Sequence, residues 1–172
     1  TSYVGAGAAF GSVATNQTSS KVGTASTSAG TTITNTYDTT TGLLATKTAG
    51  TSTMSYTYDD WGRKLTLTNK PDTTTTDTTT WTYMPVGVVG AGQIGSINST
   101  KTSSYYGYGE NGETRNVPTS LTVANVGKYT AEYTEAGALA SQTAPGGVSQ
   151  TFEYDSAGRI KNMSYLGTVD NA

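Results

Sequence analysis

The side chains of this sequence that could do chemistry are carboxylates and hydroxyls, because none of its 172 residues is His or Cys. That removes His general bases, Ser-His-Asp and Cys-His nucleophiles, disulfide frameworks and nearly all zinc sites. Val88-Val89-Gly90-Ala91-Gly92-Gln93-Ile94-Gly95 has the G-x-G-x-x-G spacing of a dinucleotide fingerprint, with Glu110 twenty residues after Gly90. Such glycines bind a pyrophosphate only where they open a helix whose N-terminus faces it. Ser96 to Tyr105, which follow, have no helical period. Asp59 and Asp60 are adjacent, and on a strand they would point to opposite faces, not flank one substrate. Asp72 and Asp77 bracket a run of threonines and lack the ligand spacing of a calcium loop. The Ser and Thr hydroxyls have no imidazole to activate them. The sequence therefore predicts no catalytic residue, no cofactor and no metal.

The elements that would position any site are read from composition and period. Ten Lys and Arg against twelve Asp and Glu give a net charge of −2, and charged residues are 13% of the chain against about 25% in an average domain. Nucleic-acid binding needs clustered cations, so it is not expected. No apolar run reaches the roughly 18 residues of a membrane-spanning helix. Thr fills about a fifth of all positions, far above average usage, beside 12 Tyr and 21 Gly. Thr and Tyr suit a pleated, half-buried surface. Met54, Tyr56 and Tyr58 alternate with Ser55 and Thr57, and Tyr129 to Tyr133 and Val148 to Tyr154 alternate in the same way. A period of two with one apolar face predicts antiparallel strands and essentially no helix.

The alternation recurs as a unit. Tyr56-Thr57-Tyr58-Asp59-Asp60-Trp61-Gly62-Arg63-Lys64-Leu65 and Phe152-Glu153-Tyr154-Asp155-Ser156-Ala157-Gly158-Arg159-Ile160 share the pattern aromatic-x-Tyr-Asp-x-x-Gly-Arg-(x)-aliphatic. Weaker copies place Tyr129, Tyr133 and Gly137 in one unit, Tyr106, Tyr108 and Gly112 in another, and Trp81, Tyr83 and Gly87 in a third. Tyr37, Asp38 and Gly42 form a copy with one extra turn residue. The marker tyrosines 37, 58, 83, 108, 133 and 154 are spaced by 21, 25, 25, 25 and 21 residues. A degenerate copy is read at Val13-Ala14-Thr15-Asn16.

Each position has a physical task. The Asp accepts backbone amide hydrogen bonds and starts a turn, the Gly supplies a positive φ, and the Arg returns to pair with the Asp. Aromatics at i and i+2 share a face, where cross-strand partners contribute about 0.2–1 kcal/mol each. Twenty-one residues hold two strands and two turns. The 25-residue repeats are expected to lengthen the second turn, as Lys70 to Thr80 would. The chain reads as a row of β-hairpins.

These motifs resemble the Rhs/YD-repeat proteins, which include bacterial Rhs elements, Tc-toxin components and teneurins. The resemblance spans about residues 31–165 and implies an all-β fold: antiparallel hairpins of tandem 21–25-residue YD repeats in a curved or spiralling strip. In that family the strip closes into a shell, and six or seven repeats are too few to close one, so a wall segment is implied. We expect a Gly/Ala/Ser/Thr-rich opening segment over 1–30, the repeat array over 31–165 and a tail over 166–172.

The functional expectation is a non-enzymatic structural protein, extracellular or on a cell surface, serving as the wall of a toxin-encapsulating shell or of a self-associating fibre. Its expected partners are further copies of itself or the rest of a longer repeat chain. The competing expectation is an adhesion module that binds glycans through exposed Trp61, Trp81 or Tyr106. Asn16, Asn98 and Asn162 head Asn-x-Ser/Thr triplets and are candidate glycosylation acceptors.

Overall fold

A computed structural model describes residues 2–3, 17–22 and 31–167. Fourteen strands form among them: β1 Ser2–Tyr3, β2 Gln17–Val22, β3 Thr31–Tyr37, β4 Leu44–Ala49, β5 Ser52–Tyr58, β6 Lys64–Lys70, β7 Asp77–Tyr83, β8 Ile94–Ser99, β9 Ser103–Tyr108, β10 Pro118–Val123, β11 Gly127–Tyr133, β12 Leu139–Thr143, β13 Ser149–Tyr154 and β14 Ile160–Leu166. The one helical element among the described residues is a single 3-10 turn, Glu110–Gly112. No helix among them is long and apolar enough to cross a membrane. The degenerate copy at residues 13–16, with Asn16, lies outside the described residues.

Strand order follows chain order, and neighbours run antiparallel. The chain divides between Thr80 and Trp81, inside β7, into two compact units, residues 1–80 and 81–172. In the first, β1 to β6 and the start of β7 pair in sequence; in the second, the end of β7 through β14 does so. The β-branched and aromatic composition favours strands, and the short connections favour pairing between strands adjacent in sequence.

Along β3 the alternation is plain: Thr32, Thr34 and Thr36 are exposed while Ile33, Asn35 and Tyr37 are half-buried. One face carries the marker tyrosines and the other carries hydroxyls. Neither face is closed over, since among the described residues no hydrophobic side chain is buried and the buried polar residues are Ser96, Thr119 and Ser120. A sheet with an apolar face stabilises itself by covering that face, so the described strands lack the second layer that ordinarily makes a core.

Repeat length is accommodated differently from expectation. Between Tyr58 and Tyr83 the extra residues do lie in the second loop, 71–76. Between Tyr83 and Tyr108, and again between Tyr108 and Tyr133, they lie in the first loop, 84–93 and 109–117, while the second turns shrink to 100–102 and 124–126. The two long loops brace each other. The Gly90 amide donates to the Asn116 side-chain carbonyl at 2.7 Å, and a Cβ on Gly90 would overlap the Tyr108 ring. Insertions next to one another in the sheet can be stabilised together, which the spacing of the tyrosines does not reveal.

Candidate functional site

The functional element is the turn that follows each marker tyrosine, together with the tyrosine itself. In the turn after Tyr58, the Asp59 amide donates to the Arg63 carbonyl and the Gly62 amide to the Asp59 carbonyl, both at 2.9 Å. Asp155 and Gly158 repeat both bonds, and Thr134 and Gly137 repeat them with Ala138 closing. Gly62, Gly137 and Gly158 have φ of 77°, 88° and 75°, a left-handed backbone that costs a residue with a Cβ about 1–2 kcal/mol.

The Asp side chain fills the turn from within. Asp59 Oδ1 accepts from the Trp61 and Arg63 amides at 3.0 and 2.9 Å, and Oδ2 accepts from Arg63 Nε at 2.7 Å. Asp155 makes the same three contacts with Ala157 and Arg159. Burial pushes the Asp59 carboxyl up, but the amide and guanidinium of Arg63 and the amide of Trp61 outweigh it and hold the carboxyl below its usual range. For Asp155 the Arg159 amide and guanidinium dominate in the same direction. Where Thr134 replaces the Asp, its Oγ1 accepts from the Ala138 amide at 3.1 Å. Asp38 caps a longer turn through Thr40, Thr41 and the Thr41 hydroxyl. Asp59 and Asp60 thus stand in a turn and not on a strand. The Asp72 carboxylate is engaged by the amides and hydroxyls of Thr74 and Thr75, which bring it down to about 2.

Four of the six marker tyrosines staple their hairpin to the one before. Tyr58 Oη donates to the Leu44 carbonyl at 3.0 Å, Tyr108 to Ile94 at 2.9 Å, Tyr133 to Pro118 at 2.7 Å and Tyr154 to Leu139 at 2.8 Å. The acceptor is always the first residue of the preceding hairpin's return strand, 14 or 15 residues earlier. Burial, reinforced by Tyr56 and Tyr106, pushes the Tyr58 and Tyr108 hydroxyls above their usual range, keeping them protonated donors.

A β-bulge recurs at the same place. Pairing skips Ala45 opposite Thr36 and Tyr37, Leu65 opposite Thr57 and Tyr58, Thr119 opposite Gly107 and Tyr108, Ala140 opposite Glu132 and Tyr133, and Lys161 opposite Glu153 and Tyr154. A bulge bends the strand and re-aims a side chain, here at each marker tyrosine. The five tyrosines 37, 58, 108, 133 and 154 therefore occupy one geometric position, and Tyr83 likewise ends its strand.

On the opposite face, the residue before the tyrosine bonds across the ladder. Thr36 and Thr46 hydroxyls lie 2.6 Å apart, Thr57 and Thr66 2.7 Å, and Thr82 and Ser96 2.8 Å. Gly107 stands at this position in the Tyr108 repeat because a Cβ would overlap the Ser120 hydroxyl, which donates to Glu110 at 3.1 Å. Lys128 pairs with the same Glu110 oxygen at 2.9 Å.

Two expected turn glycines do not perform that role. Gly87 has a positive φ but lies inside the 84–93 loop, where Gly92 donates to the Met84 carbonyl and Met84 to the Gln93 carbonyl, the same pair of bonds that Gly62 and Asp59 make. The true turn glycine of that repeat thus belongs to the fingerprint-like run, and no helix follows it. Gly112 belongs to the 3-10 turn of the 109–117 loop. Of the aromatics singled out for adhesion, Trp61 is 76% exposed at a turn of the first unit, while Trp81 and Tyr106 are half-buried on strands of the second. Asn98 is half-buried on β8 with its amide on Ser96, and Asn162 is exposed on β14. The bulges and the carbonyls that receive the tyrosines left no signal of residue type. The separation of 14 or 15 residues between tyrosine and acceptor is the signature that could have found the acceptors.

The RHS Repeat family model matches residues 133–167, from Tyr133 through the Asp155 turn to the end of β14. The crystal structure of TcdB2-TccC3-Cdc42 is similar with a TM-score of 0.59 and 18% identity, over 76% of this chain and 7% of that chain. That of TcdB2-TccC3-TEV gives 0.53 and 15%, over 78% and 8%. At such identities the likeness is one of fold, and the chain spans less than a tenth of either neighbour's length. No curated protein matches it in sequence. Residues 133–167 thus match the RHS Repeat model, and the all-β row of antiparallel hairpins has a fold like that of the TcdB2-TccC3 structures.

Proposed function

We propose that this chain is a non-enzymatic structural protein, a wall segment of a secreted, toxin-encapsulating shell of the Rhs type. The observation that carries the reading is the uncovered tyrosine face: stapled hairpins stand in chain order, yet no hydrophobic side chain among the described residues is buried. Such a sheet is one layer of something larger. Its partners are then the rest of a longer repeat chain or further copies, and its place is outside the cell or on its surface.

A self-associating fibre is the second reading, and β14 favours it. β14 is exposed along all seven residues, carries Lys161 as its one charge, and among the described residues pairs only with β13. An edge of that kind accepts a further strand, from the same polypeptide where it continues or from another copy. Electron microscopy of the protein purified from its native host separates the readings. Closed hollow particles support the shell, filaments of uniform width support the fibre, and dispersed monomers with hydrolytic activity overturn both.

A further inference from the structure

Trp61 departs from what its turn requires. The position accepts no turn hydrogen bond from its side chain, and the turns at 155–159 and 134–138 place Ala157 and Ala136 there. The first unit instead presents an indole that is 76% exposed. The Arg63 guanidinium sits 4.7 Å from the indole centroid, and Arg63 is itself held by Asp59 at 2.7 Å. One face of the ring is thereby covered by a fixed cation, and the ring is held before any ligand arrives. Asp60, beside it, is exposed.

We propose that Trp61 and Asp60 form a carbohydrate-binding site at this hairpin tip. A sugar presents an apolar C–H face that stacks on an aromatic ring, and hydroxyls that donate to a carboxylate or exchange bonds with threonines. A protein hot spot needs its aromatic anchor ringed by contacts that exclude water. Trp61 is flanked by Asp60 and Gly62, and the neighbouring turn offers Thr39, Thr40 and Thr41, all exposed, so that ring is missing. One aromatic platform with an adjacent hydroxyl acceptor suits a single terminal sugar, and the weak contact gains strength when many copies engage together. The site stands independently of the wall reading, since it uses the turn and not the tyrosine face.

The test is binding of the full chain, displayed multivalently on beads, to an array of neutral oligosaccharides including N-acetyllactosamine and maltotriose. Trp61→Ala installs the residue that two sister turns already carry, so the fold is kept; a matching circular dichroism spectrum and urea midpoint verify it. The expected result is selective retention on a subset of sugars, reduced at least ten-fold by Trp61→Ala and several-fold by Asp60→Asn, and unchanged by Val86→Ala. Absence of retention on every sugar, or retention by Trp61→Ala equal to the parent, overturns the proposal.

Discussion

Replacing Tyr58 by Phe removes one atom and with it one staple. The ring and its apolar burial stay, while the Leu44 carbonyl loses the hydroxyl that approaches it at 3.0 Å. A net hydrogen bond of this type contributes about 0.5–1.5 kcal/mol. At about 1 kcal/mol the unfolding equilibrium constant rises about five-fold, and with a urea m-value of about 1–3 kcal/mol/M the midpoint falls by roughly 0.3–1 M at unchanged slope. Tyr108→Phe, Tyr133→Phe and Tyr154→Phe remove equivalent bonds at distinct hairpin junctions, so their effects should nearly add. Tyr105, 51% exposed, lies on the opposite face from Tyr106, and Tyr105→Phe should stay within about 0.5 kcal/mol of the parent. Urea titrations followed by circular dichroism measure all five. Equal midpoints for Tyr58→Phe and Tyr105→Phe would refute the staple, because the two substitutions delete the same atom and differ only in what it touches.

Other consequences follow from the turns and the hydroxyl face. Gly62→Ala should cost about 1–2 kcal/mol from backbone strain alone, since the added Cβ meets only Leu43 at 3.6 Å; Gly90→Ala should cost more in thermal melts, because there it also displaces the Tyr108 ring. A double-mutant cycle of Thr57→Val and Thr66→Val should return a coupling of about 0.2–1 kcal/mol, and a coupling of zero would remove the cross-strand bond from the account. Acid should weaken the fold. Asp72 sits at about 2 when folded and near 3.9 when unfolded, with Asp59 and Asp155 shifted the same way. The folded chain binds fewer protons, so this stability is present above about pH 4 and lost as pH falls toward about 2. Asp72→Asn should flatten that slope in urea midpoints measured across the window; an unchanged slope contradicts it.

The hairpins were legible because Tyr, Asp, Gly and Arg each solve a local problem: ending a strand, capping a turn, turning left-handed and closing the cap. Those solutions need no knowledge of the neighbours, so Tyr58 to Arg63 and Tyr154 to Arg159 read directly. Gly87 misled because the Tyr83 repeat lacks the Asp, and counting residues from the tyrosine then favours the wrong glycine; Gly92 closes that turn after an insertion. The insertion is stabilised by Asn116 and Tyr108, which are close in space but not in sequence. The bulges at Ala45, Leu65, Thr119, Ala140 and Lys161 share no side-chain type, since a bulge is a property of backbone pairing. Trp61 is readable in the sequence as a candidate glycan contact, while its 76% exposure and its place under the Arg63 guanidinium are seen only in the structure.

A high-resolution density map of these residues within the intact native polypeptide would decide whether the hairpins stand as described. It should show successive antiparallel hairpins with strands about 4.8 Å apart, the Tyr58, Tyr108, Tyr133 and Tyr154 hydroxyls each resting on the carbonyl just beyond the previous turn, and the aromatic side packed against further protein. Marker rings scattered over unrelated positions, or that side bare to solvent in the complete molecule, would contradict this arrangement.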